Sequence, residues 1–310
     1  MPAPSAPAVF TERLIENIGR VFLGKPQAMQ LAAITLIAEG HLLIEDYPGV
    51  GQTLLARSLA RSLDLPFQRL QCTADLLPAD VLGANVYQPA TGEIGFRPGP
   101  VFTSVLVADE LNRTPPRTQS ALLQCMQERR VTIDRTTHEL PDPFFVIATQ
   151  NPQAFAGTYP LPESQLDRFL MRIRLGYLDP ASEAAVVARG DGFRELDDLA
   201  AVADAQTVRD ARTAARAVVV DKSIVAYIVD LAQRTRAHGE VRIGVSTRGA
   251  QALFRAVQAR ALLHRRTYAT PEDAHALVGP VFCHRISAAS GHNAPEAIVH
   301  EIVASTPLPE

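Results

Sequence analysis

Five short apolar segments, separated by helical or irregular stretches, constrain the fold of this chain most strongly. They occupy residues 42–44, 67–70, 105–107, 144–148 and 171–175. Continuous apolar runs of this length are typical of strands buried in a parallel sheet, whose crossover connections place helices on both faces. The sequence therefore predicts an α/β fold in which a doubly wound, five-stranded parallel sheet is sandwiched by helices.

Two stretches interrupt this alternation of strands and helices. Residues 86–96 contain the turn signal Thr91-Gly92, and residues 130–140 are centred on polar residues 135–138. Short extended segments on either side of such a turn indicate a β-hairpin. We predict that both stretches are hairpins inserted into the sheet-and-helix core.

The character of the sequence changes after residues 178–180. Strand-like runs largely stop, and Ala, Arg and Leu dominate helical segments near residues 181–189, 207–218, 222–237, 248–264 and 271–286. Thr270 and Pro271 give the last segment a cap and a proline in its first turn, which is a good helix start. We therefore predict a core domain at residues 1–179, which carries both hairpins, and a small all-α domain at residues 180–310.

The composition is that of an ordinary globular protein. Of the 310 residues 47% are apolar and 20% are charged, and the net charge of −3 argues against a general polyanion binder. No uncharged apolar run approaches the roughly 18 residues of a membrane span, and residues 1–9 lack the pattern of a signal peptide. Cys72, Cys125 and Cys283 are too widely spaced for a zinc site or a disulfide framework. We expect a cytoplasmic protein.

An arginine-rich stretch lies at residues 200–270, where 12 residues are basic and 5 are acidic. One interpretation is a nucleic-acid face. The other is a set of helices whose arginines lie on solvated faces or pair with acidic neighbours. Because aromatic residues are not interleaved with these charges in a repeating pattern, we favour the second interpretation and do not expect nucleic acid as a partner.

A glycine-rich loop follows the first predicted strand. It reads Asp46-Tyr47-Pro48-Gly49-Val50-Gly51-Gln52-Thr53 and runs into a helix. A loop of this kind at a helix N-terminus places backbone N–H groups around an anion such as a phosphate, and the Thr53 hydroxyl stands where it would bind Mg²⁺. The strict P-loop pattern fails twice, at Asp46 and at Gln52. Taken alone, the loop fits an ordinary strand–helix turn equally well.

Polar residues also end the third and fourth predicted strands. Asp109 and Glu110 follow an apolar run about 56 residues after Thr53, where an Asp can hold Mg²⁺ and a Glu can polarise an attacking water. Asn151 ends the next strand, and its amide could orient that water or the γ-phosphate. An acidic turn and an Asn-Pro turn are the simpler alternatives. The order and spacing of all three elements favour a nucleotide site.

The sequence resembles the MoxR family of AAA+ ATPases over nearly the whole chain, from Val21 to Ile286. The diagnostic stretches are DLLPADVLG at 75–83, GPVF at 99–102, ADELNR at 108–113, TQSALL at 118–123 and TYPLPE at 158–163. Their number and order make the resemblance specific. In that family Asp46 is a usual residue, so Gln52 is the one remaining departure from the loop pattern.

The resemblance implies a P-loop AAA+ core with a helical lid, assembled as a ring, expected to be a hexamer, with ATP or ADP and Mg²⁺ between neighbours. It implies that Glu110, Asn151, Arg168 and Arg248 are catalytic, as Walker B glutamate, sensor 1, arginine finger and sensor 2. Thr53 and Asp109 would hold the metal. The nucleotide contacts would be Gly24, Pro48, Gly49, Val50, Gly51, Gln52, Thr53 and Leu54. Alternatively, Arg168 pairs with Asp167 or Glu163, and Arg248 is a solvated helix start.

Gln52 stands where the family has lysine. Its amide can still donate a hydrogen bond, but the loss of a charge-assisted bond to phosphate would cost roughly 1.5–3 kcal/mol. Weaker ATP binding and slower hydrolysis are therefore expected, unless an arginine such as Arg57 or Arg113 compensates.

The family implies an ATPase that remodels or matures client proteins, with von Willebrand factor A domains as the suggested client class. Two alternatives remain open. The first is a nucleotide-binding scaffold whose hydrolysis is impaired by Gln52. The second is a DNA-remodelling motor, which the net charge disfavours.

Overall fold

The computed structural model describes residues 6–47, 49–89, 92–152, 157–190, 193–289 and 294–309. The strands are β1 Leu42–Glu45, β2 Phe67–Gln71, β3 Gly83–Gln88, β4 Glu93–Pro98, β5 Val105–Asp109, β6 Arg130–Ile133, β7 Thr136–Glu139, β8 Phe145–Gln150, β9 Met171–Ile173, β10 Val241–Ile243 and β11 Ser287–Ala288.

The helices are α1 Ala6–Gly19, α2 Pro26–Ile37, α3 Gln52–Ser62, α4 Pro78–Leu82, α5 Pro116–Glu128, α6 Glu163–Leu166, α7 Pro180–Arg189, α8 Phe193–Asp197, α9 Ala205–Arg216, α10 Lys222–Ala237, α11 Thr247–Leu263, α12 Pro271–Phe282 and α13 Pro295–Ser305. Two 3₁₀ turns, Leu111–Arg113 and Cys283–Arg285, follow β5 and α12.

The predicted five-stranded parallel sheet is confirmed. Its strand order is β2-β5-β8-β1-β9, and every neighbouring pair is parallel. Alternate residues of the central strands enter two different cores. Leu42 and Val105 pack with α1, α2 and α3, whereas Leu43 and Leu106 pack with α5 on the opposite face. The sheet is thereby buried between two helical layers, and its carboxyl edge faces the loops that carry the candidate site.

Both interruptions of the alternation form antiparallel hairpins. β3 pairs with β4, with Tyr87 opposite Ile94, and β6 pairs with β7. The two hairpins also contact each other, because the rings of Phe96 and His138 stack with their centroids 4.0 Å apart. Asn85 Nδ2 donates to Asp134 Oδ2 across the same contact, at 2.7 Å. They therefore form one composite surface, the hairpin pair, defined here as residues 83–89, 92–98 and 130–139.

The second half of the chain is helical apart from the short antiparallel pair β10–β11. It shares one hydrophobic core with the first half. Leu14 and Leu36 of α1 and α2 belong to the same buried cluster as Val208 of α9 and Val257 of α11. The division at residue 180 stays a prediction, since the packing is continuous across it.

Most of the arginine charge in residues 200–270 is paired within the chain. Several of these arginines form ion pairs with carboxylates or donate hydrogen bonds to backbone carbonyls. They are Arg209, Arg212, Arg216, Arg234, Arg236, Arg242, Arg260, Arg265 and Arg266. This supports the interpretation that these arginines serve the helical packing. No helix in the described ranges is long and apolar enough to cross a membrane.

Candidate active site

A cavity of about 590 Å³ lies at the carboxyl edge of the sheet, where the loop after β1 enters α3. Ligands of open α/β sheets bind at this edge. The cavity is lined by nine of the residues predicted from the sequence, which are Gly49, Val50, Gly51, Gln52, Thr53, Leu54, Asp109, Glu110 and Asn151. The chain therefore brings the loop, the acidic pair and the Asn together. Pro48 lies outside the described residues.

The loop turns tightly because both of its glycines adopt left-handed backbone angles. Gly49 has a φ of 87° and Gly51 has a φ of 95°. A Cβ at Gly51 would also come within 3.0 Å of the Phe22 ring. Since α3 begins at Gln52, the free N–H groups of its first turn border the cavity. This end of the site is built to receive an anion.

Asp46 fixes this loop against the segment that follows β9. Its Oδ2 accepts hydrogen bonds from the N–H groups of Leu175 and Gly176, both at 2.6 Å. Lys25 Nζ donates to the carbonyl oxygens of Leu175, Gly176 and Tyr177 at 2.6, 3.0 and 2.5 Å. These bonds hold residues 175–177 as a wall of the cavity and explain why β9 ends at Ile173, two residues earlier than predicted. Asp46 is therefore a structural residue of the loop.

Thr53 and Asp109 meet at the floor of the cavity. Asp109 is buried, and its Oδ1 lies 3.4 Å from the hydroxyl oxygens of both Thr53 and Thr149. A hydroxyl beside a carboxylate suits Mg²⁺, which keeps most of its waters and needs few protein ligands. The residues present fit that ion.

Glu110 has an unusual backbone conformation. Its φ of 58° lies in the left-handed region, which is uncommon for a residue other than glycine. Its N–H donates to Thr149 Oγ1 at 2.9 Å, and its Oε2 contacts Arg113 Nε at 3.0 Å and Gln71 Nε2 at 3.4 Å. The carboxylate is thus aimed by several contacts at the edge of the cavity.

Gln52 supports the assignment of this cavity to phosphate. Its Nε2 is buried and has no hydrogen-bond partner in the described structure. A buried donor without a partner is costly, so a ligand oxygen at this position would stabilise it. The residues around the loop therefore fit the phosphates of a nucleotide.

Arg69 is a site residue that the sequence did not reveal. It lies on β2, lines the cavity, and its Nε donates to Asp109 Oδ2 at 2.6 Å while 48% of its side chain stays exposed. Arg113 is engaged by Glu110, and Arg57 lines a different cavity. Arg69 is therefore better placed to compensate for Gln52 than Arg57 or Arg113, the two arginines expected from the sequence. No local signal in the sequence marks Arg69, because its position depends on the register of β2 against β5, which places Gln71 opposite Asp109 and Arg69 two residues earlier.

The far wall of the cavity is apolar and suits the base of a nucleotide. It includes Val21, Phe22, Leu178 and Val186, beside the exposed ring of Tyr177. Gly24 lines a neighbouring cavity. A Cβ at Gly24 would meet Leu178 Cδ2 at 2.6 Å, so its role is to permit close packing behind this wall.

Arg168 and Arg248 do not line this cavity. Arg168 lies in the turn between α6 and β9, and Arg248 is exposed in the first turn of α11. Asp167 is paired with Arg285 and Glu163 with Arg242, so within the described residues Arg168 forms an ion pair with neither carboxylate. Arg248 is exposed and Arg168 is half-buried.

A parallel sheet with this loop, this acidic pair and a helical second part defines a P-loop ATPase of the AAA+ class. The sequence profile described as "ATPase family associated with various cellular activities (AAA)" matches residues 41–171, and the profile "AAA lid domain" matches residues 233–302. The predicted fold class is therefore confirmed.

Similarity to individual proteins identifies the family within the AAA+ class. The chain is 34% identical to Chaperone MoxR1 of Mycobacterium tuberculosis, over 96% of this chain and 82% of that protein. It is 44% identical to the uncharacterized protein YeaC of Bacillus subtilis, over 96% and 94%. A solved structure from Cytophaga hutchinsonii superposes with a TM-score of 0.88 at 34% identity, covering 98% of this chain and 97% of that one. The chain belongs to the MoxR family of AAA+ ATPases.

Proposed function

We propose that this chain binds Mg-ATP and Mg-ADP in the cavity, hydrolyses ATP, and couples that turnover to remodelling or maturation of partner proteins. One observation carries the proposal: the Gly49–Thr53 loop, the Asp109–Glu110 pair and Asn151 line a single cavity. Loop amides and α3 would hold the phosphates, and the apolar wall would hold the base.

Thr53 and Asp109 would hold the magnesium ion. Bound there, Mg²⁺ would neutralise charge on the phosphates and orient them for attack. Arg69 bonds Asp109 through Oδ2, so Oδ1, which lies beside the Thr53 hydroxyl, is the oxygen that would hold the ion.

Glu110 is the proposed base that orients and polarises the attacking water, with Asn151 beside it. The contacts of its carboxylate with Arg113 and Gln71 are both made by Oε2, so Oε1 is the oxygen proposed to meet the attacking water.

Arg168 and Arg248 are proposed to act on the nucleotide of an adjacent subunit. Neither lines the chain's own cavity, and an arginine supplied from a neighbour can stabilise the charge that develops on the transferring phosphoryl group. The active unit would then be a ring, for which we propose a hexamer.

The proposed clients are cytoplasmic proteins, with von Willebrand factor A domains as the candidate class. The name of the Mycobacterium tuberculosis relative, a chaperone, supports a client-directed role. This part of the proposal rests on relatedness, whereas the nucleotide chemistry rests on the site.

A second candidate function is a nucleotide-gated scaffold that turns over slowly. Gln52 favours this scaffold function, because the loop lacks a cation that would stabilise the negative charge on the β- and γ-phosphates during hydrolysis. The other site residues, Glu110 among them, favour hydrolysis.

Steady-state hydrolysis separates the candidates. We expect phosphate release from ATP that requires Mg²⁺, is unaffected by double-stranded DNA, and falls at least about 100-fold in Glu110→Gln, which keeps the shape but loses the base. ATP binding without release would favour the scaffold. Strong stimulation by DNA would favour a DNA-remodelling motor.

The hairpin pair is the proposed client contact. Tyr87 and Ile94 face each other across β3 and β4 and are 60% and 72% exposed, an unusual position for large apolar side chains. Replacing both by Ser should remove stimulation of ATP hydrolysis by an isolated von Willebrand factor A domain, with basal hydrolysis and subunit mass unchanged.

Val219→Ser is the matched control for that pair, since Val219 is 66% exposed but lies in the second half of the chain. It should leave stimulation intact. If the Tyr87→Ser, Ile94→Ser variant instead loses its ring in light scattering, the hairpin pair buttresses the subunit interface and client contact is the wrong role.

A further inference from the structure

Arg285 is a buried arginine outside the cavity, in the 3₁₀ turn after α12. Its side chain is 3% exposed, and its Nε donates to Asp167 Oδ1 at 2.7 Å. Its Nη2 donates to the carbonyl oxygens of Phe169 at 2.6 Å and Asp167 at 3.3 Å, and its Nη1 donates to Leu170 O at 3.1 Å. The Arg285 guanidinium thus donates hydrogen bonds to the backbone on both sides of Arg168.

These hydrogen bonds exceed what is needed to neutralise the charge of Arg285. Asp167 alone would balance the charge, yet three carbonyls of residues 167–170 also converge on the same group. A guanidinium is planar and presents its donors in a fixed fork, so it sets the orientation of every partner at once. The backbone of the segment that carries Arg168 is thereby bonded at three carbonyls to a side chain from the second half of the chain.

Arg285 also touches the segment that carries Arg248. A Cβ placed on Gly249 would lie 2.9 Å from Arg285 Cδ, so the first turn of α11 packs directly on the arginine stem. Arg168 and Arg248 therefore flank the same buried residue. A shift of α11 or α12 would reach Arg168 through this contact.

We propose that Arg285 is a positioning residue, which holds Arg168 and the start of α11 in the orientation needed at the nucleotide of an adjacent subunit. The proposal rests on the shared site described above. Arg285 itself does not line the cavity, and its side chain is buried, so it would act through Arg168 rather than on a nucleotide. Its loss should therefore lower turnover at the neighbour's site and leave the chain's own nucleotide binding intact.

The variant Arg285→Lys keeps the charge but cannot reach Asp167, Phe169 and Leu170 together. We expect kcat to fall about 10- to 100-fold, while the affinity for a non-hydrolysable ATP analogue, measured by calorimetry, changes less than twofold. The control is Arg260→Lys, at a partly buried arginine that pairs with Asp273 in the same half of the chain. It should change neither quantity.

Mixing separates positioning from general damage. Glu110→Gln subunits keep Arg168 and Arg285, whereas Arg285→Lys subunits keep Glu110. Mixing the two variants should therefore restore hydrolysis at interfaces where a Glu110→Gln subunit supplies Arg168 to the site of an Arg285→Lys subunit. Asp167→Asn, which keeps the side-chain shape, should behave like Arg285→Lys and serves if the lysine variant is unstable.

Two results would overturn the proposal. One is unchanged kcat in Arg285→Lys and Asp167→Asn. The other is loss of analogue affinity in step with kcat and no recovery on mixing, while a mixture of Arg168→Ala with Glu110→Gln does recover. If that reference mixture also fails to recover, the shared site itself is wrong, and the positioning role falls with it.

Discussion

Arg168→Ala should lower ATP turnover about 1,000-fold, the scale of an arginine finger, with little change in ATP affinity. The reason is geometric. Arg168 does not line the cavity of its own chain and is unpaired with its two neighbouring carboxylates, Glu163 and Asp167, so it is available to a second subunit. Turnover is measured by phosphate release and affinity by calorimetry with a non-hydrolysable analogue.

Mixing Arg168→Ala with Glu110→Gln should restore part of this activity. In a ring with head-to-tail contacts, about one interface in four would combine an intact Glu110 with an intact Arg168 when the two variants mix randomly in equal amounts. Arg234→Ala, which breaks only an exposed pair with Asp230 within α10, is the control and should retain full activity. Mixtures as inactive as their components, with mixed rings demonstrated, would show that Arg168 acts within its own subunit or not at all.

Gln52→Lys should tighten ATP binding about 10- to 100-fold, which corresponds to roughly 1.4–2.8 kcal/mol. The buried Nε2 of Gln52 has no hydrogen-bond partner among the residues that the structure describes, so the position is already suited to a donor to phosphate. Lysine is unbranched and longer, and the loop conformation is set by Gly49 and Gly51. Turnover should rise at least as much, because the benefit of a cation grows as charge develops in the transition state.

ADP should gain less than ATP, since the missing cation would lie between the β- and γ-phosphates. Gln52→Met, which removes the donor, should weaken binding and serves as the opposite control. Calorimetry and single-turnover hydrolysis are the measurements. Unchanged affinity and rate in Gln52→Lys would mean that another cation already fills the role. Arg69 is then the candidate, and Arg69→Gln should weaken binding in both backgrounds.

The parts of the structure that could be predicted from the sequence have local signals. The apolar runs that form β1 and β5 are continuous in the chain, and helix starts such as Asp179-Pro180 and Thr270-Pro271 are set by neighbouring residues. The glycine loop and the Asp109–Glu110 pair are likewise short motifs at strand ends. Their assembly into one cavity follows from the parallel order of the strands.

The parts that could not be predicted depend on contacts between distant residues. The bond from Leu175 N–H to Asp46 spans 129 positions, and the Arg69–Asp109 pair requires the register of β2 against β5. Nothing near Arg248 in the chain shows that it stands away from the cavity. These features arise from tertiary packing, which sequence periodicity does not report.

The central claim is that hydrolysis occurs at a site shared between subunits. ATP hydrolysis per subunit, followed with the unaltered chain across a dilution series that spans ring dissociation, tests it most directly. Activity per subunit should rise with protein concentration in parallel with assembly measured by light scattering, and should be lost when the ring dissociates. Constant activity per subunit across the whole series would contradict the shared site.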